Sequence, residues 1–461
     1  MELSRRGFLA TAGAVSLGFV GLKSHLGSSA LAARSAARPD LGPLLPDRHN
    51  LLDLPAGFSY HIFSRAGQVM DDGFHVPVLH DGMAAFAGPG GRTILVRNHE
   101  VDIGPGRDGA FGSSSELLAR IDPAHVYDRG FGSQPALGAT TTLVFDTNRQ
   151  QLDAHYLSLA GTVRNCAGGP TPWNTWLTCE ETEQTADDRY RMDHGYVFEV
   201  PTTAKIGLVR PQPIKAMGRF VHEAVAVDPH SGVVYLTEDR ADSLLYRYVP
   251  KKPGRLVAGG RLQALAVHDL PSLRTCNWTG ADAAVQKVAI GEPMAVNWLD
   301  LDDIESPGLR HRGFSRGAAQ FARGEGIWFG NDAIYFACTS GGPNRKGQIW
   351  RYRPGAAEGT PQEATAPGTL ELFIEPNDQT MLDNADNITI APWGDLVICE
   401  DGPEEQFLVG VTPGGELYRI ARNAHSEFAG ATFAPDGSTL FVNIQGAGIT
   451  IAITGPWPGR L

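Results

Sequence analysis

Short apolar runs that end in polar residues recur along most of the chain. A representative copy crosses Ala224–Val227, turns at Asp228–Gly232 and returns through Val233–Thr237 to Glu238 and Asp239. Two apolar runs joined by a turn rich in Pro, Gly and Asp are typical of a β-hairpin. The pattern predicts six such hairpins, and they span 81–100, 166–181, 222–239, 323–336, 386–401 and 427–445.

Further strand-like runs follow four of these hairpins and are predicted third strands: Tyr196–Val200, Leu245–Val249, Gln348–Tyr352 and Leu417–Ile420. With 55 Gly and 31 Pro, the composition fits many short strands and turns. The regular recurrence predicts an all-β fold, a six-bladed β-propeller. A stacked β-sandwich would also give regular hairpins, but it would not need a polar residue at the head of each one.

The N-terminus resembles a twin-arginine export signal. Arg5 and Arg6 precede a weakly apolar stretch from Phe8 to Leu22, and Ala30-Leu31-Ala32 offers a cleavage site. The stretch is too short to form a stable membrane anchor. The sequence therefore predicts a signal peptide over residues 1–32 and one mature domain over 33–461, located in the periplasm or outside the cell.

Charge and cysteine content narrow the range of partners. A net charge of -12 argues against nucleic acid and anionic lipid, and it is compatible with cation binding. The five cysteines leave at least one thiol unpaired, and they contain no close C-x-x-C pair. Cys179, Cys338 and Cys399 follow apolar residues and are predicted to be buried, whereas Cys166 is predicted to lie in a polar, Gly-rich loop.

The first residues of the six hairpins are almost all acidic. In a propeller the first strand of each blade lines the central axis, so equivalent residues form a ring. Close carboxylates repel one another unless cations neutralise them, which predicts metals at the axis. Oxygen ligands suit Ca²⁺, and a thiolate favours a transition metal. The predicted ring comprises Asp81, Cys166, Glu223, Glu325, Asp386 with Asn387, and Glu427.

Other charged residues adjoin this ring. Glu100, Glu180 and Glu400 close returning strands and complete the predicted metal-ligand set. Arg164, Arg219 and Arg323 lie next to ring members, and guanidinium groups match phosphate geometry. For Arg219 a structural salt bridge is an equal alternative, whereas Arg323 is predicted to bind substrate because it faces the same way as Glu325.

Six segments together resemble the PhoX-type alkaline phosphatases over nearly the whole mature chain. The segments are 97–100 (RNHE), 161–169 (GTVRNCAGG), 176–181 (WLTCEE), 218–223 (GRFVHE), 323–326 (RGEG) and 386–387 (DN). The resemblance implies a six-bladed propeller that holds Fe³⁺ and Ca²⁺ and hydrolyses phosphate monoesters outside the cytoplasm. It also implies that Cys166 ligates iron, that Glu223 and Glu325 bridge metals, and that Arg323 holds the phosphate.

The expected enzyme is thus a metal-dependent phosphoric monoester hydrolase with Arg323, Arg164 and Glu325 as catalytic residues. Its expected partners are small phosphate esters and the twin-arginine export machinery, and it is expected to be a monomer. No G-x-S-x-G elbow or Gly-rich nucleotide loop is evident. The alternatives are a calcium-dependent propeller lactonase or arylesterase, which needs no thiolate, and a non-catalytic exported propeller that binds ligands.

Overall fold

The computed structural model describes residues 38–102, 108–132, 134–280, 286–376, 381–424 and 426–459. The predicted export signal at residues 1–32 lies outside the described residues. Within these ranges, no helix is both long and apolar enough to cross a bilayer.

Strands form nearly all of the regular structure in the described ranges. In chain order they are β1 (Leu44–Leu45), β2 (Leu54–Pro55), β3 (Ser59–Arg65), β4 (His80–Ala87), β5 (Thr93–His99), β6 (Gly138–Asp146), β7 (Gln151–Thr162), β8 (Asn165–Pro170), β9 (Thr175–Glu180), β10 (Val197–Pro201), β11 (His222–Val227), β12 (Val234–Glu238), β13 (Ser243–Leu244), β14 (Tyr246–Pro250), β15 (Gly260–Val267), β16 (Met294–Asp300), β17 (Gln320–Phe321), β18 (Gly324–Gly330), β19 (Ala333–Cys338), β20 (Gln348–Arg353), β21 (Thr369–Ile374), β22 (Ala385–Ile390), β23 (Leu396–Glu400), β24 (Gln406–Val411), β25 (Leu417–Asn423), β26 (Phe428–Phe433), β27 (Thr439–Ile444) and β28 (Ile449–Thr454). The helices are α1 (Leu309–Ser315) and short 3-10 turns at Pro89–Gly91, Glu116–Arg120, Pro123–His125, Lys215–Met217, Leu256–Ala258 and Glu363–Thr365.

The strands build a propeller-like, all-β arrangement of antiparallel sheets. Four sheets are separate blades, with strand orders β4-β5-β6-β7, β8-β9-β10, β22-β23-β24-β25 and β26-β27-β28-β3. In the last blade the early strand β3 pairs with β28, which joins the two ends of the described chain. Six strands pack side by side in the order β4, β8, β11, β18, β22 and β26, and β26 returns to β4. These axial strands therefore close a ring.

The expectation of six separate blades is wrong in its count. Nine strands form one continuous sheet, in the order β11-β12-β14-β15-β16-β21-β20-β19-β18. The cause is β16, which pairs with β15 along most of its length and with β21 through Met294 and Ala295. Since β11 and β18, at the two edges, contact each other, the nine-stranded sheet is nearly closed on itself.

Apolar side chains fill the space between neighbouring sheets. One cluster joins Val397 and Leu408 of one blade to Leu440 and Ile451 of the next. Because each axial strand has a sheet on both sides, its residues are buried on both faces, as all six residues of β26 are. The five cysteines are buried and free, as expected for Cys179, Cys338 and Cys399. The loop predicted around Cys166 is wrong, because Cys166 lies in β8.

Every axial strand carries a β-bulge close to its start. The bulges lie between His80 and Met83, Asn165 and Gly168, His222 and Val225, Gly324 and Ile327, Ala385 and Ile388, and Ala429 and Thr432. A bulge sets two residues against one on the partner strand and re-aims the side chains there. The same end of all six strands is therefore specialised in the same way.

Candidate metal and phosphate site

We call "head" the residue that follows the first paired residue of each axial strand. In the first five axial strands the first pairs are His80 with His99, Asn165 with Glu180, His222 with Glu238, Gly324 with Cys338, and Ala385 with Glu400. The heads are consequently Asp81, Cys166, Glu223, Glu325 and Asp386. The first four are buried and Asp386 is half-buried. The structure thus places these five predicted residues at equivalent positions around the axis.

Glu427 occupies a different position in the repeat. Phe428 pairs with Ile444 as His80 pairs with His99, so the sixth head is Ala429. Its bulge also begins one residue later than in the other strands, at Gly430. Glu427 still reaches the acidic cluster, because its side chain forms a hydrogen bond with Asp401.

A second ring lies directly after the returning strands, at what we call the "rim" position. Each rim N–H donates, over 3.0–3.2 Å, to the carbonyl oxygen two residues before the head. The rim residues are Glu100, Glu181, Asp239, Thr339, Asp401 and Gln445. Of these, only Glu100 was among the predicted ligands. Glu181, Asp239 and Asp401 are not among the predicted ligands, although each is an acidic residue directly after a returning strand, which is the signal that identifies them in the sequence.

The residues that accept these rim hydrogen bonds form a third set, the "corner" residues: Leu79, Arg164, Val221, Arg323, Asn384 and Glu427. Four of them have a positive φ: Leu79 (50°), Arg164 (48°), Arg323 (56°) and Asn384 (50°). This left-handed conformation is uncommon outside glycine. It therefore marks a tight corner just before the axial strand, where both predicted phosphate-binding arginines lie.

Both corner arginines are held by rim carboxylates. Arg164 pairs with Glu181 and, through Nη2 at 2.7 Å, with Oε1 of Glu100. Arg323 donates from Nε and Nη2 to the two oxygens of Asp239, at 2.7 and 2.9 Å. Their side chains are 36% and 41% exposed, so solvent reaches the guanidinium groups while most head residues lie buried beneath.

Arg219 does not join this group. It donates to the backbone carbonyl oxygens of Glu183 and Glu305, at 2.9 and 3.2 Å. Its contacts thus support neither the substrate role nor the side-chain salt bridge that the sequence left open.

Glu180 and Glu400 face away from the head and rim side chains. Oxygens of Glu180 accept from the N–H groups of Val163 and Tyr196, and those of Glu400 accept from the N–H groups of Asp383 and Phe407. Alternation along a strand explains this, since each precedes its rim residue by one position. The structure therefore does not bring these two predicted ligands to the cluster.

Asn387 lies beside the cluster but uses its side chain locally. Its Oδ1 accepts from the N–H of Gly430 at 2.9 Å, and its Nδ2 donates to Oδ1 of Asp386 at 3.2 Å. The amide thus links the fifth axial strand to the sixth.

Two triads bring potential ligand atoms together. Cys166, Glu181 and Glu223 form one triad, and Glu223, Glu325 and Asp386 form the other. In each triad, one ligand atom per residue lies within 4.8 Å of the others. Glu223 belongs to both triads, so it can link two ions.

Burial and mutual repulsion raise the pKa values of these acids in the metal-free chain. Desolvation is the largest cause, and neighbouring carboxylates add to it. The pKa of Asp386 rises to about 7, that of Glu181 to about 8 and that of Glu427 to about 11. The pKa values of Asp81, Cys166, Glu223 and Glu325 rise well above their ordinary values.

The donor set suits multivalent cations. Carboxylates occupy four of the head positions, four of the rim positions and one corner position, and the Cys166 thiol occupies a fifth head position. The positive charges among these positions are the two corner arginines. So many buried acids fit a site that cations neutralise, with hard oxygen donors for Ca²⁺ and one thiolate for iron. The residues present therefore fit both expected metals.

Small residues close the axis beneath the heads. A Cβ added to Gly82 would lie 2.6 Å from Cα of Ala167, and one added to Gly326 would lie 2.5 Å from the carbonyl oxygen of Asp386. Glycine is needed at these two positions because the axial strands approach closely. The axial strands are thus closely packed directly beneath the acidic cluster.

One solved structure shows a similar fold, and two others are less similar. Pseudomonas fluorescens PhoX, in complex with vanadate, has a TM-score of 0.63 at 18% identity, covering 90% of this chain and 97% of that one. A gluconolactonase from Xanthomonas campestris has a TM-score of 0.40 at 12% identity, covering 91% and 99% of the two chains. A periplasmic gluconolactonase from Pseudomonas aeruginosa has 0.39 at 14% identity, covering 82% of each. At these identities only the first similarity carries weight, and it concerns the fold.

No curated protein matches the chain. The family model "Alkaline phosphatase PhoX" matches residues 40–448, which include every head, rim and corner residue. This confirms the resemblance that the six sequence segments indicated. The chain belongs to the PhoX family of alkaline phosphatases.

Proposed function

We propose that this PhoX-family alkaline phosphatase is an exported, metal-dependent phosphomonoesterase that releases inorganic phosphate from small phosphate esters. The observation that carries the proposal is the convergence of head and rim acids and the Cys166 thiol below two solvent-accessible arginines. Metal cations bound by these acids would lie on one side of a phosphoryl group, and Arg164 and Arg323 would lie on the other, so both sides would present positive charge to it.

The first triad, with the Cys166 thiolate, would hold Fe³⁺, and the all-oxygen triad of Glu223, Glu325 and Asp386 would hold Ca²⁺. Asp81, Glu100, Asp401 and Glu427 add carboxylates around them. When bound, these ions supply Lewis acidity and positive charge beside the phosphoryl group.

Arg323 would bind the equatorial oxygens of the phosphoryl group. Asp239 fixes its guanidinium through two parallel hydrogen bonds, and Oε1 of Glu325 lies 2.9 Å from Nη2. Because these contacts use Nε and Nη2, we expect Nη1 to donate to the substrate. A guanidinium held in this way loses little further entropy on binding. Arg164 would donate to another oxygen of the same group.

We propose that residues 1–32 direct export through the twin-arginine machinery and that residues 33–461 act as a monomer in the periplasm or outside the cell. The expected partners are small phosphate esters, with no nucleic acid and no stable membrane anchor. The paired Arg5 and Arg6 support the export route.

The test compares hydrolysis of a generic aryl phosphate and of a lactone by protein purified without chelator. We expect hydrolysis of the phosphate ester alone, and loss of about 1.5–3 kcal/mol of transition-state stabilisation in Arg323→Met. Arg422→Met is the matched control, because Arg422 also pairs with an aspartate, Asp53, but on β25. Lactone hydrolysis without phosphatase activity, or equal loss in both variants, would overturn the proposal.

A further inference from the structure

A buried carboxylate lies on the face of β9 that is turned away from the cluster. Glu180 is fully buried, and four donors surround its carboxylate. Its Oε1 accepts from the N–H of Val163 at 3.0 Å and is 2.6 Å from Nδ1 of His194. Its Oε2 accepts from the N–H groups of Gly195 and Tyr196, at 2.9 and 3.1 Å. Both oxygens are thus committed to the protein itself.

His194 extends this anchor to a second carboxylate. Its Nε2 lies 3.3 Å from Oδ2 of Asp128, which also accepts from the N–H groups of Arg191 and Met192. Burial alone would lower the pKa of His194, but Glu180 and Asp128 raise that pKa to about 9. A charged imidazolium between two carboxylates therefore holds Glu180 in place.

Glu180 controls the corner that carries Arg164. Val163, which donates to Glu180, directly precedes Arg164, and Glu181 directly follows Glu180. Glu181 in turn donates its N–H to the carbonyl oxygen of Arg164 at 3.0 Å, and its own carbonyl oxygen accepts from Nε of Arg164 at 3.2 Å. One carboxylate thus fixes the backbone of both members of this ion pair.

The same contact recurs in another hairpin. Glu400 accepts from the N–H of Asp383 at 2.8 Å and from the N–H of Phe407 at 3.0 Å. Asp383 directly precedes the corner residue Asn384, which has the same left-handed conformation as Arg164. Two copies of one contact indicate that the last residue of a returning strand stabilises the corner before the axial strand.

We propose that Glu180 is a positioning residue for phosphate recognition, which holds Arg164 in the orientation that binds phosphate, and that it does not ligate metal. This inference rests on the proposed function of Arg164. The ligands concerned are phosphate monoesters and inorganic phosphate.

Replacing Glu180 with glutamine separates this role from a general loss of packing. All four groups around Glu180 donate hydrogen bonds to it, and a glutamine side chain has one oxygen instead of two. Its amide NH₂ must then face donors on one side, which either frees Val163 or disturbs Gly195 and Tyr196. Val163 adjoins Arg164, and Tyr196 pairs with the backbone of Glu180 next to Glu181, so either change disturbs the backbone that fixes the Arg164–Glu181 ion pair.

The experiment measures the inhibition constant of inorganic phosphate and the KM of an aryl phosphate with the metal-loaded enzyme. Glu180→Gln and Arg164→Met are each expected to raise the inhibition constant about ten-fold, the effect of one charge-assisted hydrogen bond. The double variant should bind phosphate no more weakly than Arg164→Met, because both changes remove the same interaction, between Arg164 and phosphate. Iron and calcium contents should stay at the wild-type level in Glu180→Gln.

Glu358→Gln is the matched control, since Glu358 is a buried carboxylate bound by Arg247 and Tyr235. It should lower the melting temperature and leave phosphate inhibition unchanged. Additive effects in the double variant, or loss of iron from Glu180→Gln, would overturn the inference. If Arg164→Met leaves phosphate inhibition unchanged while the ester is still hydrolysed, the positioning role fails but the phosphatase function stands. If the wild-type enzyme neither binds phosphate nor hydrolyses the ester, the proposed function itself fails.

Should Glu180→Gln not fold, His194→Gln provides the same test. It leaves Glu180 with its three N–H donors and removes only the imidazolium. The inhibition constant of phosphate is then expected to rise about two- to three-fold. An unchanged constant in a folded His194→Gln enzyme would overturn the positioning role.

Discussion

Removal of the metals should make the stability of the folded chain depend strongly on pH. In the metal-free chain, burial and the nearby Asp401 raise the pKa of Asp386 from 3.8 to about 7. Burial and Glu100 raise that of Glu181 from 4.5 to about 8. A group whose pKa is raised by folding stabilises the protein below its unfolded pKa, and that stability is lost as the pH rises through the folded value. The window is therefore about pH 4 to 8.

The size of the effect follows from the number of protons involved. Each group that stays protonated only in the folded chain costs about 1.4 kcal/mol per pH unit, so Asp386 and Glu181 alone cost roughly 5 kcal/mol between pH 5 and 7. The other cluster acids with raised pKa values add to this loss. With an unfolding entropy of about 2.1 cal/mol/K per residue, the loss from these two groups alone lowers the melting temperature of a chain of 461 residues by about 5 °C. Bound cations favour the ionised carboxylates and abolish this dependence.

Thermal melts of metal-loaded and chelator-treated protein at pH 5, 6, 7 and 8 test this reasoning. We expect the difference in melting temperature between the two forms to widen by at least about 5 °C from pH 5 to 7. Titration of groups outside the cluster, such as His194, affects both forms and cancels in the difference. A difference that is constant over this range would refute the electrostatic account of the cluster.

Three further outcomes are expected. Cys166→Ala should lose its iron and most phosphatase activity, and full activity in that variant would show that the iron assignment is wrong. Folding raises the pKa of His194 from 6.5 to about 9, so the metal-loaded enzyme should lose up to roughly 3 kcal/mol of stability as the pH rises through this range. Thermal melts of His194→Gln should not show this loss. Gly326→Ala should lower the unfolding free energy by about 2 kcal/mol or more, because the added Cβ would lie 2.5 Å from the carbonyl oxygen of Asp386. An unchanged denaturation midpoint would contradict the close approach of the axial strands.

The repeated hairpins could be predicted from sequence because period-two runs and turn residues are local signals. Heads such as Asp81 and Cys166 followed from the same pattern, since each lies just inside a strand that the turn residues delimit. The number of separate blades did not follow, because β16 pairs with strands on both sides of it and no local pattern encodes that pairing.

Positions shifted by one or two residues could not be resolved from sequence. Glu180 and Glu181 are adjacent acids, and alternation sends them to opposite faces of β9, so the choice between them depends on where the strand ends. Glu427 precedes its axial strand by one residue, because the first paired residue of that strand is Phe428 and the head position therefore falls on Ala429. The corner arginines were recognised by charge, whereas their left-handed backbone depends on contacts with the returning strand.

The most direct measurement of the central claim is the elemental content of protein purified without chelator, for the wild type and for Glu223→Gln. Glu223 belongs to both ligand triads, so the account predicts iron and calcium in the wild type and loss of both metals from the variant. Glu358→Gln should keep both metals, because Glu358 lies in a separate ion-pair cluster with Arg247. A wild-type protein that hydrolyses phosphate esters without bound multivalent metal, or a Glu223→Gln variant that retains both ions, would contradict the account.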